Sequence, residues 1–176
     1  VPMPKPPEQV RFDPRGLVLH KLDAAVGTPL LRRQLTGAED VTGRIQAGLA
    51  LAAKGERAGI AAIGDACRRE PFWGVRVEWM QALGRAGVEA AMEVLAERAL
   101  TEEDPRVLAP LLRAAGRYRD PLILEAVLAR LEKGDLPYHA RAAALETLGA
   151  MREEAPLALL LEAAEREGFG GLVQAG

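Results

Sequence analysis

The stretch "PFWGVRVEWMQALGRAG", residues 71–87, decides the fold. It holds both tryptophans of the chain between a leading proline and a closing glycine. Beside "TGRIQAGLALAAKG", "RVLAPLLRAAGRYRD" and "YHARAAALETLGAM" it becomes one unit of a repeat. Ala52, Gly84, Gly116 and Gly149 align at steps of 32, 32 and 33 residues. In the same register Leu51, Leu83, Ala115 and Leu148 form an apolar column, as do Ala47, Trp79, Leu111 and Ala144. Arg44, Arg76 and Arg141 form a basic column that Leu108 interrupts.

The second half of each unit keeps the step. Ile60, Met92, Leu124 and Leu157 align; Ile63, Leu95, Val127 and Leu160 follow three residues later, and Cys67, Ala99, Leu131 and Ala164 four after that. Alternating spacings of three and four mark one face of an α-helix. Each unit therefore reads as two helices of about 10–15 residues. Such a hairpin cannot bury its apolar faces alone and must stack on its neighbours. The expected fold is all-α: an α-α superhelix of about four helical hairpins.

The punctuation agrees. Glu70-Pro71, Asp104-Pro105 and Asp120-Pro121 each set an acid before a proline, the pattern of a helix start. Thr28-Pro29, Asp135 near Pro137 and Glu154 near Pro156 are looser versions. Gly55, Gly87, Gly134 and Gly168 stand where helices should end. Pro110 falls inside the helix that starts at Pro105, and a bend is expected there.

Read in this frame, Trp79 belongs to a core column. Phe72 and Trp73 lie at the start of their helix. They either staple that start or offer an exposed Trp73 to another domain. Arg44, Arg76 and Arg141 sit near Asp40, Glu70, Asp104 and Asp135. They suit a ladder of charge-assisted bonds between units, or contact with an acidic partner. Glu89, Glu93 and Glu97 run along a solvated helix face.

Catalytic chemistry is not legible in these 176 residues. His20 and His139 stand in no metal-binding spacing, and no nucleophile elbow or phosphate-binding loop occurs. The glycine-rich "GFGGL" at 168–172 lacks the lysine of a P-loop. Cys67 falls in an apolar column and reads as a small buried hydrophobe. No catalytic, metal or cofactor residue is expected. A net charge of −2 gives no footprint for nucleic acid or an anionic membrane, and no apolar run reaches the roughly 18 residues of a span. The single cysteine rules out an internal disulfide and fits a reducing, cytoplasmic setting.

The ends differ. "VPMPKPPE" is extended, and "QVRFDPRGLVLHKL" reads as a β-hairpin around Asp13-Pro14-Arg15-Gly16. Residues 1–27 are expected to close a preceding β domain, and residues 28–176 to form the solenoid. Leu31 and Leu35 precede Ile63 and Cys67 by 32 residues, so the helix after Pro29 is a half unit capping the stack. "GGLVQAG" places Val173 under Arg141, as the start of a fifth unit that the chain cuts short. Self-association through bare apolar surface, or disorder, is expected near Leu172.

"VRFDPRGLVLHKL", "LLRRQLTGAEDVTGRIQAGLAL" and "FWGVRVEWMQALG", in that order, resemble the C-terminal part of bacterial aminopeptidase-N-like zinc metallopeptidases that end in HEAT repeats. That resemblance implies a non-catalytic HEAT-like domain. It would pack on the catalytic domain of the same parent chain and shape peptide access to its cavity. The zinc motif would lie upstream, so no catalytic residue carries over. The other reading is a stand-alone HEAT-repeat protein-interaction scaffold.

Overall fold

The computed structural model describes residues 26–152 and 156–165. Nine helices occur among them: α1 (Thr28–Gly37), α2 (Val41–Lys54), α3 (Arg57–Cys67), α4 (Trp73–Ala86), α5 (Glu89–Thr101), α6 (Pro105–Ala115), α7 (Pro121–Glu132), α8 (Tyr138–Met151) and α9 (Leu157–Glu165). No strand occurs among the described residues; the expected β-hairpin lies outside them. So do Gly168, Leu172 and Val173.

The first helices of the four units stack as α2 on α4 on α6 on α8. Helices α3, α5 and α7 form the second row, and α1 packs against both α2 and α3. The half unit expected after Pro29 is thus the head of that second row, with Leu31 and Leu35 buried.

The first-helix columns are the core. Ala47, Trp79, Leu111 and Ala144 are fully buried, and so are Leu51, Leu83, Ala115 and Leu148. Of the second-helix columns, Ile63, Leu95 and Val127 are fully buried and Leu160 half-buried, as expected, whereas the other two need correction. Ile60 is buried and Met92 and Leu124 half-buried, but Leu157 is 53% exposed. The uniformly buried column lies one residue earlier, at Gly59, Ala91, Ile123 and Pro156. Of the column Cys67, Ala99, Leu131 and Ala164, the last faces solvent and Ala163 is buried instead. Helices α5 and α7 are apolar over a broad arc, so sequence spacing fixes their period but not which edge of the arc is innermost.

Two of the three acid–proline starts behave as expected. Asp104 accepts from the Arg106 amide at 3.0 Å and Asp120 from the Leu122 amide at 2.9 Å, with proline opening α6 and α7. Pro71 instead lies outside the helix: α4 begins at Trp73, and the Glu70 carboxylate accepts from the Phe72 amide at 3.0 Å. Helix α6 runs through Pro110 to Ala115.

The stack depends on close approach between first helices. A Cβ on Gly48 would lie 2.2 Å from two atoms of the Trp79 ring, and one on Gly84 2.9 Å from the Ala114 carbonyl oxygen. One on Gly116 would lie 3.0 Å from Thr147. Side-chain donors cross the same seams, each to a carbonyl 35 residues upstream. Trp79 Nε1 donates to Arg44 O at 3.1 Å, Thr147 Oγ1 to Leu112 O at 2.9 Å, and Tyr118 Oη to Leu83 O. Tyr118 Oη also accepts from the Gly87 amide at 3.2 Å, closing the C-terminus of α4.

The residue that ends or follows each first helix is left-handed in every unit: Gly55 at φ 66°, Gly87 at 66°, Arg119 at 43° and Arg152 at 59°. Steps of 32, 32 and 33 separate them. Only glycine adopts this conformation without steric cost, so the third and fourth units hold arginine under strain.

These contacts set two costs apart. Gly48→Ala should destabilise by about 3 kcal/mol, the upper range for an overpacked seam. Much of that loss should vanish when Trp79 is replaced by Leu, a coupling that a double-mutant cycle in urea measures. Gly87→Ala, whose Cβ would meet nothing within 4 Å, should cost only about 1 kcal/mol, from the backbone alone.

Candidate functional site

The arginine column is the first place to look for a binding surface, and two of its members are consumed internally. Arg44 holds Glu70 through Nε at 2.8 Å and Nη2 at 3.2 Å, while its Nη1 donates to the carbonyls of Ala38 and Glu39. Arg76 donates to the Glu70 carbonyl at 3.2 Å and to Asp104 at 3.0 Å, and lies 3.6 Å from Glu102. Each therefore ties its own unit to the next. Leu108, which interrupts the column, is buried. Arg141 has no side-chain partner among the described residues. The carboxylate 26 residues after Arg44 is Glu70, and after Arg76 it is Glu102; the same offset from Arg141 reaches Glu167, outside the described residues.

The ladder has a second rail that the sequence columns omitted. Arg98 is buried and donates to Glu102 at 2.7 Å. Arg130, also buried, donates to the Glu102 carbonyl at 3.2 Å and lies 3.7 Å from Asp135. Glu102 further accepts from the amides of Glu103 and Asp104. This carboxylate thus joins α4, α5 and the loop into α6. Ala66, Arg98, Arg130 and Ala163 occupy one repeat position, all buried. The signal was the repeat step itself, applied to a column that mixes alanine with arginine. Asp104, held also by Arg106 at 2.9 Å, has its carboxyl pulled below the ordinary range, first by that hydrogen bond.

Trp73 does not staple the helix start. It is 36% exposed and Phe72 42% exposed, with ring centroids 5.7 Å apart. The Arg106 guanidinium lies 5.1 Å from the Trp73 ring. An aromatic pair with a cation against one face therefore stands in solvent at the start of α4. Glu93 and Glu97, on the solvent side of α5, bridge to Arg57 at 2.9 Å and Arg68 at 2.7 Å on α3.

Cys67 is buried, and burial pushes its thiol up to about 12, which suits a packing residue and not a nucleophile. Among the described residues no group of three or more His, Cys, Asp or Glu could hold a metal ion. No helix among them is long and apolar enough to cross a membrane.

The family model for HEAT repeats matches residues 28–115, which is half of the chain. The chain belongs to the HEAT-repeat family. The match runs from α1 through α6, and α7 and α8 continue the same stacking. No curated protein and no solved structure matches the chain. Nothing in these comparisons links the HEAT repeats to an aminopeptidase.

The buried ladder and the surface bridges should respond differently to neutralisation. Glu102→Gln leaves Arg98 without an anion in the interior and should cost about 3 kcal/mol in urea unfolding. Glu146→Gln, which breaks the exposed 2.7 Å bridge to Arg113, should cost less than about 1 kcal/mol. Cys67 should react with an aromatic disulfide reagent at pH 8 only as fast as the chain opens, and rapidly in denaturant.

Proposed function

We propose that this chain is a protein-interaction scaffold whose contact surface includes the start of α4. The observation that carries the reading is the exposed Phe72–Trp73 pair with Arg106 against its ring. Aromatic and arginine side chains are the types that dominate binding hot spots, because they bury large area at low conformational cost. The repeat architecture supports the same role. A stack of hairpins offers long rows of side chains on rigid helices, and it can vary them without disturbing the seam.

A finer reading rests on the sequence resemblance to zinc aminopeptidases. Here the partner is the catalytic domain of the same parent chain, the Trp73 surface packs on it, and peptides reach the zinc past these helices. The F-W-G-V-R run that carries part of that resemblance begins with the two exposed aromatics, which favours placing the interdomain contact there. An H-E-x-x-H motif with a further glutamate in the same reading frame upstream of Val1 would select it.

Replacement of Trp73 by a photo-crosslinking amino acid in the producing cell should give one discrete, identifiable adduct. Trp73→Ala should shift the melting temperature by no more than a few degrees and lower affinity for that partner at least tenfold. A diffuse smear of adducts, or unchanged affinity, would remove the basis of this assignment.

A further inference from the structure

The opposite ends of the first helices carry a different surface. Two adjoining depressions, about 510 and 280 Å³, form one groove across α4, α6 and α8, sharing Arg113 and Arg117 as walls. Arg85 lines one end and Arg119 the other. All four arginines are exposed. The one acid in the lining is Glu146, which pairs with Arg113. The groove therefore carries a surplus of three positive charges on a chain whose net charge is −2.

Arginine in the last turn of a helix also complements the helix dipole, and that alone would account for Arg85 and Arg113. It does not account for Arg119. This residue follows α6, sits at φ 43°, and occupies the position where the first two units have glycine. Residues kept in a strained conformation, where a neighbouring repeat shows the relaxed solution, concentrate at functional sites. Arg119 lines the larger depression.

We infer that this groove binds an acidic segment of a partner protein. The inference rests on the scaffold reading above but uses a surface about 18 Å along the helix axis from Trp73. Neighbouring helices pack about 8–10 Å apart, so the groove from α4 to α8 is about 16–20 Å long, the reach of some six extended residues. Guanidinium groups pair bidentately with carboxylates, and those of Arg85, Arg117 and Arg119 have no partner among the described residues. A nucleic acid fits less well: the basic surface is confined to one short groove and does not extend along a backbone track.

The test uses the 176-residue chain and a fluorescein-labelled octaglutamate peptide, followed by anisotropy at low and physiological salt. The peptide should bind, more weakly at higher salt, and Arg85→Gln with Arg117→Gln should lower affinity at least tenfold. Arg119→Gly is the sharper variant. It relaxes the backbone, so the melting temperature should rise while peptide affinity falls at least threefold. Arg57→Gln, on α3, should change neither. Absence of peptide binding, equal loss with Arg57→Gln, or a lower melting temperature for Arg119→Gly overturns the proposal. So does tighter binding of an eight-base single-stranded oligonucleotide, or of inorganic phosphate, through the same arginines. If the peptide does not bind while the Trp73 photo-adduct still forms, the groove proposal fails and the scaffold reading stands.

Discussion

Close approach of one first helix to the next is the constraint on which the structure depends. A helical hairpin in isolation has no second side to its core. Here the missing side is supplied by the neighbouring unit, at distances that only glycine or a flat ring permits. Trp79 lies over Gly48, Gly84 meets the Ala114 backbone, and Gly116 meets Thr147. At such separations buried backbone carbonyls are shielded from water, so side-chain donors from the next helix reach them. Trp79, Tyr118 and Thr147 each do so across the same 35-residue offset. Packing and polar satisfaction are therefore two aspects of one seam, and both recur because the step recurs.

A second system runs alongside it and fixes the loops. Glu70 and Glu102 follow their second helices, and each accepts from the amide two residues on. The first is neutralised by Arg44 directly. In the next unit Asp104 stands where Phe72 stood, Arg76 turns to it, and Arg98 supplies Glu102. The same geometric task is met by two charge arrangements. A change at the helix start, Phe72 against Asp104, is matched by one at the preceding helix end, Ala66 against Arg98. The exposed aromatic at Phe72 thus stands where the next unit keeps a buried-network acid, which separates the surface of α4 from that of α6.

How much of this was legible in the sequence follows from the same physics. The step of 32 residues, the paired helices, the burial of Trp79 and the capping role of α1 all express apolar periodicity, which a single chain displays openly. The outward grading of the Ile60 column was hidden because α5 and α7 are apolar around much of their circumference. The buried arginines were hidden because their repeat position holds alanine in the first and fourth units and arginine in the second and third, and none of the apolar columns passes through it. The solvent exposure of Phe72 and Trp73 was hidden as well. It depends on α4 starting two residues after Pro71, a consequence of Glu70 holding the Phe72 amide in place of a helical turn.

The arginines then sort by which end of a first helix they occupy. At the starting ends, Arg44 and Arg76 lie among carboxylates, partly buried, and hold the units together. At the closing ends stand left-handed turns and the negative ends of the helix dipoles, which attract cations but cannot neutralise them. Arg85, Arg117 and Arg119 therefore keep their charge available to solvent. A repeat protein that places its fixed charges at one edge and its available ones at the other can change its partner without loosening its core. The left-handed position shows where that freedom was used: glycine, the relaxed choice, stands in two units, and arginine, the charged and strained one, in the two that follow.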